Sequence, residues 1–347
     1  MSQIGLSYTK VAVVILNWNG KNFLEKFLPN LIEYSHFEDV RIYIADNGSN
    51  DESISFLQQV YPQIVLIQFL ENYGFTGGYN KALDLIPAKY FILLNSDVEV
   101  TENWINPVID FMDKHEDVAA CQPKIKSFAQ KDHFEYAGAA GGYIDKYGYP
   151  FCRGRILKEH EKDNGQYDKL DEIFWATGAC MFVRADLFKL VGGFDEDFFA
   201  HMEEIDLCWR FKNNGFKIYY VPSSTVYHVG GGTLPNDNPH KLFLNYRNNL
   251  YLLYKNLNRQ QLYYVIFMRL ILDGISAILY LFGSKFNLFL VVFKAHISFY
   301  QMIPKMHKKR NFRLFKLGQV GEIFQGSIVF DYFVKKRHYF SDLNFRR

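Results

Sequence analysis

The chain has 347 residues, 49% of them hydrophobic and 22% charged, enough for one large domain or a domain with an appendage. Its four cysteines, Cys121, Cys152, Cys180 and Cys208, are scattered without a Cys-x-x-Cys pair. That spacing argues against a disulfide framework or a zinc site and fits a reducing compartment. The formal charge of +2 is an average over unlike parts: Gly274 to Gly321 holds eight basic residues and no acid, leaving −6 elsewhere. Met1 to Lys10 lacks the pattern of a signal peptide, and no nucleic-acid partner is expected.

The first hundred residues alternate regularly. Val11 to Leu16 is a continuous apolar, β-branched run, as in a buried parallel strand. A helix is expected from about Asn22 to Tyr34, a strand over Arg41–Ala45, and turn chemistry at Asp46-Asn47-Gly48-Ser49. Asp51 is a candidate cap for a helix running to about Val60. Next come a strand from Ile64 to Phe69, a glycine loop, a helix ending before Pro87, and the strand Tyr90–Leu94. Such repetition implies a doubly wound α/β sheet with ligands at the carboxyl ends of its strands.

Beyond Asp97 the pattern loosens, and 121–175 reads as loops with short strands. Trp175 to Val183 is a strand candidate, a helix from Glu203 stops near Gly215, and Lys217–Val221 and Thr225–Val229 read as two short strands. From Leu262 to Ile303 the chain is strongly apolar, but its longest uncharged run, Gly274 to Ser284, is below the ~20 residues that span a bilayer. Arg269, Asp273 and Ser276 share one helical face, and so do Asn287, Lys294, Ser298 and Gln301. A narrow polar stripe beside a broad apolar face, followed by the basic cluster, predicts helices lying in an anionic membrane interface. A helical cap on the catalytic domain and an oligomer contact are the other readings.

Several residues carry candidate chemistry. Three carboxylates, Glu203, Glu204 and Asp206, crowd into four positions within an otherwise apolar run. Glu203 and Asp206 would repel on one helical face unless a cation, an arginine or a reacting proton intervened. A solvated helix start is the plainer reading. Asn95-Ser96-Asp97 follows a strand, where a carboxylate can hold a divalent cation bridging phosphates, although the same triplet is ordinary turn composition. Asp46 ends the second strand in an equivalent place. The loop Asn72–Asn80, with Gly74, Gly77 and Gly78, permits close backbone approach to a ligand but matches neither Gly-x-Gly-x-x-Gly nor a P-loop. His228, before Gly230-Gly231-Gly232, is a metal ligand, a phosphate donor or a structural histidine.

Together Val11–Gly20, Asp46–Asp51, Asn72–Asn80, Leu94–Asp97, Gly178-Ala179 and Gly193-Phe194-Asp195 through Arg210 resemble the family 2 inverting glycosyltransferases of the GT-A fold. The similarity covers about Val11 to Thr233 and is greatest to the rhamnosyltransferase-like branch of bacterial surface-polysaccharide synthesis. It implies a Rossmann-like, mainly parallel mixed sheet over 1–240, with a donor half to about residue 100 and an acceptor half after it. Residues 241–347 would be a helical, basic, membrane-interface or oligomerisation segment.

The resemblance further implies that Leu16 and Trp18 line a base pocket, that Asp46 bonds base or ribose, and that Asn72, Gly77, Asn95 and Gly178 contribute to the donor site. Asp97 matches the last carboxylate of an Asp-x-Asp motif and His228 a histidine that completes a Mg²⁺ or Mn²⁺ site. Glu204 falls at the general-base position, with Glu203 as the other choice and Asp206 shaping the pocket. Two departures stand out: Asn95 replaces the first acid of Asp-x-Asp, and Glu204 replaces the usual Asp.

The implied activity is metal-assisted transfer of a sugar, rhamnose by branch, from a nucleoside-diphosphate sugar to a lipid-linked or glycan acceptor. It would occur on the cytoplasmic face of the membrane, with a homo-oligomer as a further option. A catalytically silent nucleotide-sugar-binding scaffold and a nucleotidyltransferase are the competing readings.

Overall fold

The computed structural model describes residues 7–230, 238–310 and 320–345. Gly231, Gly232, Arg313 and Lys316 therefore lie outside the described residues. The first half contains β1 (Thr9–Asn17), α1 (Lys21–Tyr34), β2 (Val40–Asp46), α2 (Ser53–Val60), β3 (Val65–Gln68), α3 (Gly74–Leu85) and β4 (Ala88–Leu94). Strands β3, β2, β1 and β4 lie side by side, all parallel. The chain steps outward from β1 to β3 and returns to the other side of β1 as β4. That reversal opens a crevice at the carboxyl ends of β1 and β4. The apolar run of β1 serves two cores: Ala12 and Val14 face one side, Val11, Val13 and Ile15 the other. Burial on both faces is why the run does not alternate.

The middle of the chain supplies β5 (Val98–Val100), α4 (Asn106–Lys114), β6 (Val118–Ser127), β7 (Gly142–Asp145), β8 (Pro150–Cys152), β9 (Arg155–Ile156), β10 (Glu159–His160) and β11 (Asp171–Glu172). After these come β12 (Cys180–Arg184), α5 (Ala185–Leu190), α6 (Glu203–Asn213) and β13 (Lys217–His228). The large sheet runs β11-β13-β6-β12-β4-β1-β2-β3, with β5 paired to β13. β12 is antiparallel to both β4 and β6, which makes the sheet mixed.

Three expectations change here. First, β6 is a ten-residue strand deep in the sheet, where loops were expected from residue 121. Its polar Gln122 and Lys124 disguise it, yet both are buried and partnered, Gln122 to Gly138 and Thr177, and Lys124 to Asp163 and Asp168. Second, Trp175–Ala179 lies outside β12, because the Thr177 amide donates to the Gln122 side chain rather than to a strand neighbour. Third, the two short strands expected after Gly215 form one strand, β13, interrupted between Val221 and Thr225. Pro222 lies in that irregularity and has no N–H to give.

The C-terminal part adds α7 (Pro239–Asn256), α8 (Arg259–Phe282), α9 (Phe286–Lys309), β14 (Ile323–Phe324) and α10 (Ile328–Phe333). β14 joins the smaller sheet β10-β9-β8-β7-β14, so the chain returns to the body after α9. α8 and α9 have 24 residues each, about 36 Å at helical rise, and are long and apolar enough in composition to cross a membrane. This corrects the length argument drawn from uncharged runs.

The polar stripe of α8 faces inward, not toward water. Arg269 and Asp273 are buried and paired, Asp273 also meets His296 of α9 and the Tyr149 hydroxyl, and Ser276 bonds Tyr246. The outward face of the pair instead carries Phe267, Ile271, Ile275, Ile278, Phe282 and Phe293.

Candidate active site

The turns at the carboxyl ends of β1 and β2 are tied by their own side chains. Asn17 Nδ2 donates to Asp46 Oδ2 at 2.9 Å, and the Ser49 amide donates to Asp46 Oδ1 at 2.9 Å. Asp46 is therefore a fully buried strut holding the turn, with each oxygen accepting one of these hydrogen bonds. Leu16 packs beneath α3, and Trp18 stands at the mouth of the crevice, 49% exposed.

Asn72 and Asn47 join the next turn to α3. Asn47 Nδ2 donates to Asn72 Oδ1 (2.9 Å) and to the Gly74 carbonyl (3.0 Å), while the Gly74 amide donates to Asn72 Oδ1 (2.8 Å). The expected glycine loop is largely the first turns of α3, since the helix begins at Gly74. Its glycines permit packing: a Cβ on Gly78 would come within 2.8 Å of Leu16, and one on Gly77 within 3.1 Å of Tyr73. Gly178 similarly faces the Phe75 ring. At the start of this helix, the amides of Phe75 and Thr76 donate to the Phe199 carbonyl at 3.0 and 3.3 Å. What meets those amides is the loop that carries the acids.

Asp97, His228 and Glu135 form a buried group, 7%, 5% and 4% exposed. Pairing of β5 with the end of β13 brings His228 to Asp97. The imidazole lies between the carboxylates, Nε2 at 3.1 Å from Asp97 Oδ1 and Nδ1 at 3.2 Å from Glu135 Oε2. Burial opposes the imidazolium, but the two carboxylates outweigh it and push the His228 pKa up to about 10. Asn95 Nδ2 stands 3.5 Å from the same Nε2. Glu135 is absent from the sequence expectations because it lies in the stretch read as loops, with no motif around it.

Among the described residues, no three His, Cys, Asp or Glu side chains converge as a complete metal cage would require. Asp97 and the Nε2 of His228 would form a partial site if a cation displaced the imidazolium proton, with the remaining ligands coming from the donor's phosphates. Glu135, on the opposite nitrogen, would fix the ring's orientation.

The three acids separate into two environments. Asp206 is fully buried and saturated: Oδ2 accepts from Arg210 Nε and Lys255 Nζ, both at 2.8 Å, and Oδ1 from Asn256 Nδ2 at 2.7 Å. Burial opposes its ionisation, but Lys255 and Arg210 prevail and hold its pKa below the usual carboxylate value. Asp206 is thus an ion-pair node anchoring α6 to α7.

Glu203 and Glu204 have no such partners, and the Oε2 of each is covered without a hydrogen bond. Burial pushes the Glu204 carboxyl up to about 7. Burial and the adjacent Glu204 charge raise Glu203 well above its ordinary value. Desolvation is what tunes Glu204, while the repulsion expected between Glu203 and Asp206 is present as the smallest contribution to the Glu203 shift. Lys255 and Asn256 went unnoticed in sequence, because nothing in the mixed polar and apolar pattern of α7 shows that these two are buried.

The sequence profile described as "Glycosyl transferase family 2" matches residues 12–192, more than half the chain. The chain belongs to this family. It is a glycosyltransferase with the mixed α/β sheet of the GT-A fold, and it resembles the rhamnosyltransferase branch. The N-acetylglucosaminyl-diphospho-decaprenol L-rhamnosyltransferase of Mycobacterium tuberculosis is 26% identical over 234 residues, covering 62% of this chain and 75% of the relative. The rhamnosyltransferase WbbL of Escherichia coli is 23% identical over 227 residues, covering 63% and 83%.

Among solved structures, GalNAc-T7 with UDP, GalNAc and Mn²⁺ superposes with a TM-score of 0.56 at 16% identity, over 72% of this glycosyltransferase and 48% of that chain. Staphylococcus aureus TarS 1–349 in complex with UDP-GlcNAc gives 0.54 at 14% identity, over 87% and 84%. At these identities the likeness speaks for the fold.

Proposed function

We propose that this glycosyltransferase moves a sugar from a nucleoside-diphosphate donor to a lipid-linked or glycan hydroxyl with inversion, using Glu204 as general base. The observation that carries the reading is Glu204 itself: a carboxyl with one uncommitted oxygen, its pKa raised by burial, in the first turn of α6 directly after a loop hydrogen-bonded to the start of α3. A base poised near neutral pH can take the acceptor's proton as its oxygen bonds to the anomeric carbon and the bond to the diphosphate breaks. Single displacement from the opposite face inverts that carbon. Glu203, more strongly neutralised, is the weaker choice.

A Mg²⁺ or Mn²⁺ ion at Asp97 and His228 would supply charge neutralisation for the departing diphosphate. Rhamnose on a nucleoside diphosphate is the donor we favour, because the relatives are named rhamnosyltransferases. Trp18, exposed at the crevice mouth, is available to stack on the base.

Residues 1–240 would be the catalytic unit, and the α8–α9 pair would rest its outward apolar face in the membrane's cytoplasmic leaflet. Fewer charges support an anionic surface than the sequence suggested. Lys305 and Lys309, although exposed, pair with acids of the body and Arg310 with backbone carbonyls, so among the described residues Lys285, Lys294 and Lys308 are the exposed lysines of this segment without an ion-pair partner. The decisive experiment is Glu204→Gln: loss of transfer with donor binding retained supports the base assignment, and near-normal transfer rejects it.

A further inference from the structure

The segment from Asp195 to Met202, which delivers Glu203 and Glu204, has an unusual backbone. After a 3₁₀ turn at Glu196–Phe198, three of four successive non-glycine residues are left-handed: Phe199 (φ 63°), His201 (φ 69°) and Met202 (φ 71°). Such residues keep this conformation only where their surroundings impose it. The turn also directs the carbonyls of Phe198, Ala200 and His201 toward one place, where they would repel one another.

That place is occupied by the side chain of Asn248 on α7. Its Nδ2 lies 2.9, 2.8 and 2.8 Å from the Phe198, Ala200 and His201 oxygens, and the residue is 0% exposed. Its Oδ1 accepts from Arg247 Nε at 2.9 Å, which orients the amide, and Arg247 Nη2 reaches the Phe198 carbonyl at 3.2 Å. The loop is held at its other points too. Lys255 meets Asp195 at 2.7 Å, Lys309 of α9 meets Asp195 and Asp197, and Lys305 meets Asp197.

We propose that Asn248 is a positioning residue for the catalytic acids: its amide gathers the three carbonyls and so sets the loop that presents Glu203 and Glu204. The inference rests on the reading of Glu204 as base, and it makes the helices after residue 240 part of the catalytic apparatus as well as a candidate anchor. No other side-chain chemistry of this size serves the same place. An aspartate would set a carboxylate against three carbonyl oxygens, and an alanine would take this donor from the Ala200 and His201 carbonyls and leave the Phe198 carbonyl to the Ala200 amide and Arg247.

The test compares the full-length wild type with Asn248→Ala, Asn248→Asp and Asn249→Ala. Asn249 is the control: equally buried on the same helix, it donates to the Gly148 carbonyl (2.9 Å) and is not bonded to the loop. Amide exchange over Phe199–Asp206 reports the loop. The Glu204 carboxyl titration is followed by NMR with carbon-13-labelled glutamate and assigned by Glu204→Gln. Glu203 is its titrating neighbour, while Arg210 and Lys255 are spent on Asp206.

Either Asn248 variant should speed loop exchange at least tenfold and return Glu204 toward the ordinary glutamate range, with protection of β1–β4 unchanged. Asn249→Ala should do neither. Unchanged loop exchange and titration in the Asn248 variants, or the same changes in Asn249→Ala, would overturn the proposal. Should the Asn248 variants fail to fold, the wild type decides: loop amides exchanging as fast as an exposed turn reject the clamp, and slow exchange with Glu204 titrating near 7 supports it. Persistence of transfer in Glu204→Gln would sink the base assignment alone and leave the loop measurements standing.

Discussion

The Phe199 carbonyl accepts a hydrogen bond from the Phe75 amide at 3.0 Å, joining the acid loop to the first turn of α3. A Cβ on Gly74 would come within 2.6 Å of the Phe199 ring, so the two segments are in direct contact. Leu16 and Asn47 lie on the other side of α3's glycines. The helix thus stands between the turns at the ends of β1 and β2 and the loop that carries the proposed base. Small movements at either end would be felt through packed backbone, which deforms little.

Glu204→Gln should lower transfer by about 10²–10⁴-fold, the usual range for a general base. Wild-type turnover should rise with pH through about 7, as burial raises the Glu204 pKa to that value and the base acts deprotonated. A rate profile flat between pH 5.5 and 8.5 would contradict this.

The same carboxyl should oppose folding at high pH. Its native pKa lies above the unfolded value, so the native state binds more protons over pH 4.5–7 and stability falls as pH rises through that window. Glu204→Gln should therefore raise the melting temperature at pH 8, by about 1–2 kcal/mol of stability once partial solvent access is allowed for, with little change at pH 4.5. Thermal denaturation at the two pH values checks the sign.

Asp206 should behave oppositely to its neighbours. Asp206→Ala leaves Lys255 and Arg210 without their shared carboxylate and should destabilise the fold by about 3–5 kcal/mol, as breaking a buried ion pair does. Urea denaturation should find Glu203→Ala far milder, since no partner of its buried Oε2 is lost.

Asp97→Ala should abolish the Mn²⁺-dependent part of nucleoside-diphosphate binding in a calorimetric titration and spare the metal-independent part. Binding with unchanged Mn²⁺ dependence would remove Asp97 from the proposed metal site.

Phe267→Glu with Ile278→Glu should weaken co-sedimentation with phosphatidylglycerol vesicles at least fivefold while leaving the melting temperature within a degree or two, because both side chains point outward from α8. Salt should have only a modest effect, given three lysines without an ion-pair partner in the described part of the segment.

The sequence alone determined the parallel half of the sheet. Runs such as Val11–Leu16 can be satisfied only by burial on both faces, and the intervening helices and turns follow from local chemistry. The ordered motifs from Val11 to Arg210 were also sufficient for the family. Folding decided what the polar residues do, because their partners are remote in the chain. Asp206 meets Lys255 across 49 positions and Asn256 across 50, which converts one member of an acid cluster into a structural node and leaves Glu203 and Glu204 unpaired. Likewise, the α8 stripe could be read as a helical face, but only packing against Tyr149, Tyr246 and His296 turned it inward and left the apolar face outside. Periodicity marks which residues share a face, whereas the direction of that face is set by long-range contacts that local sequence does not encode.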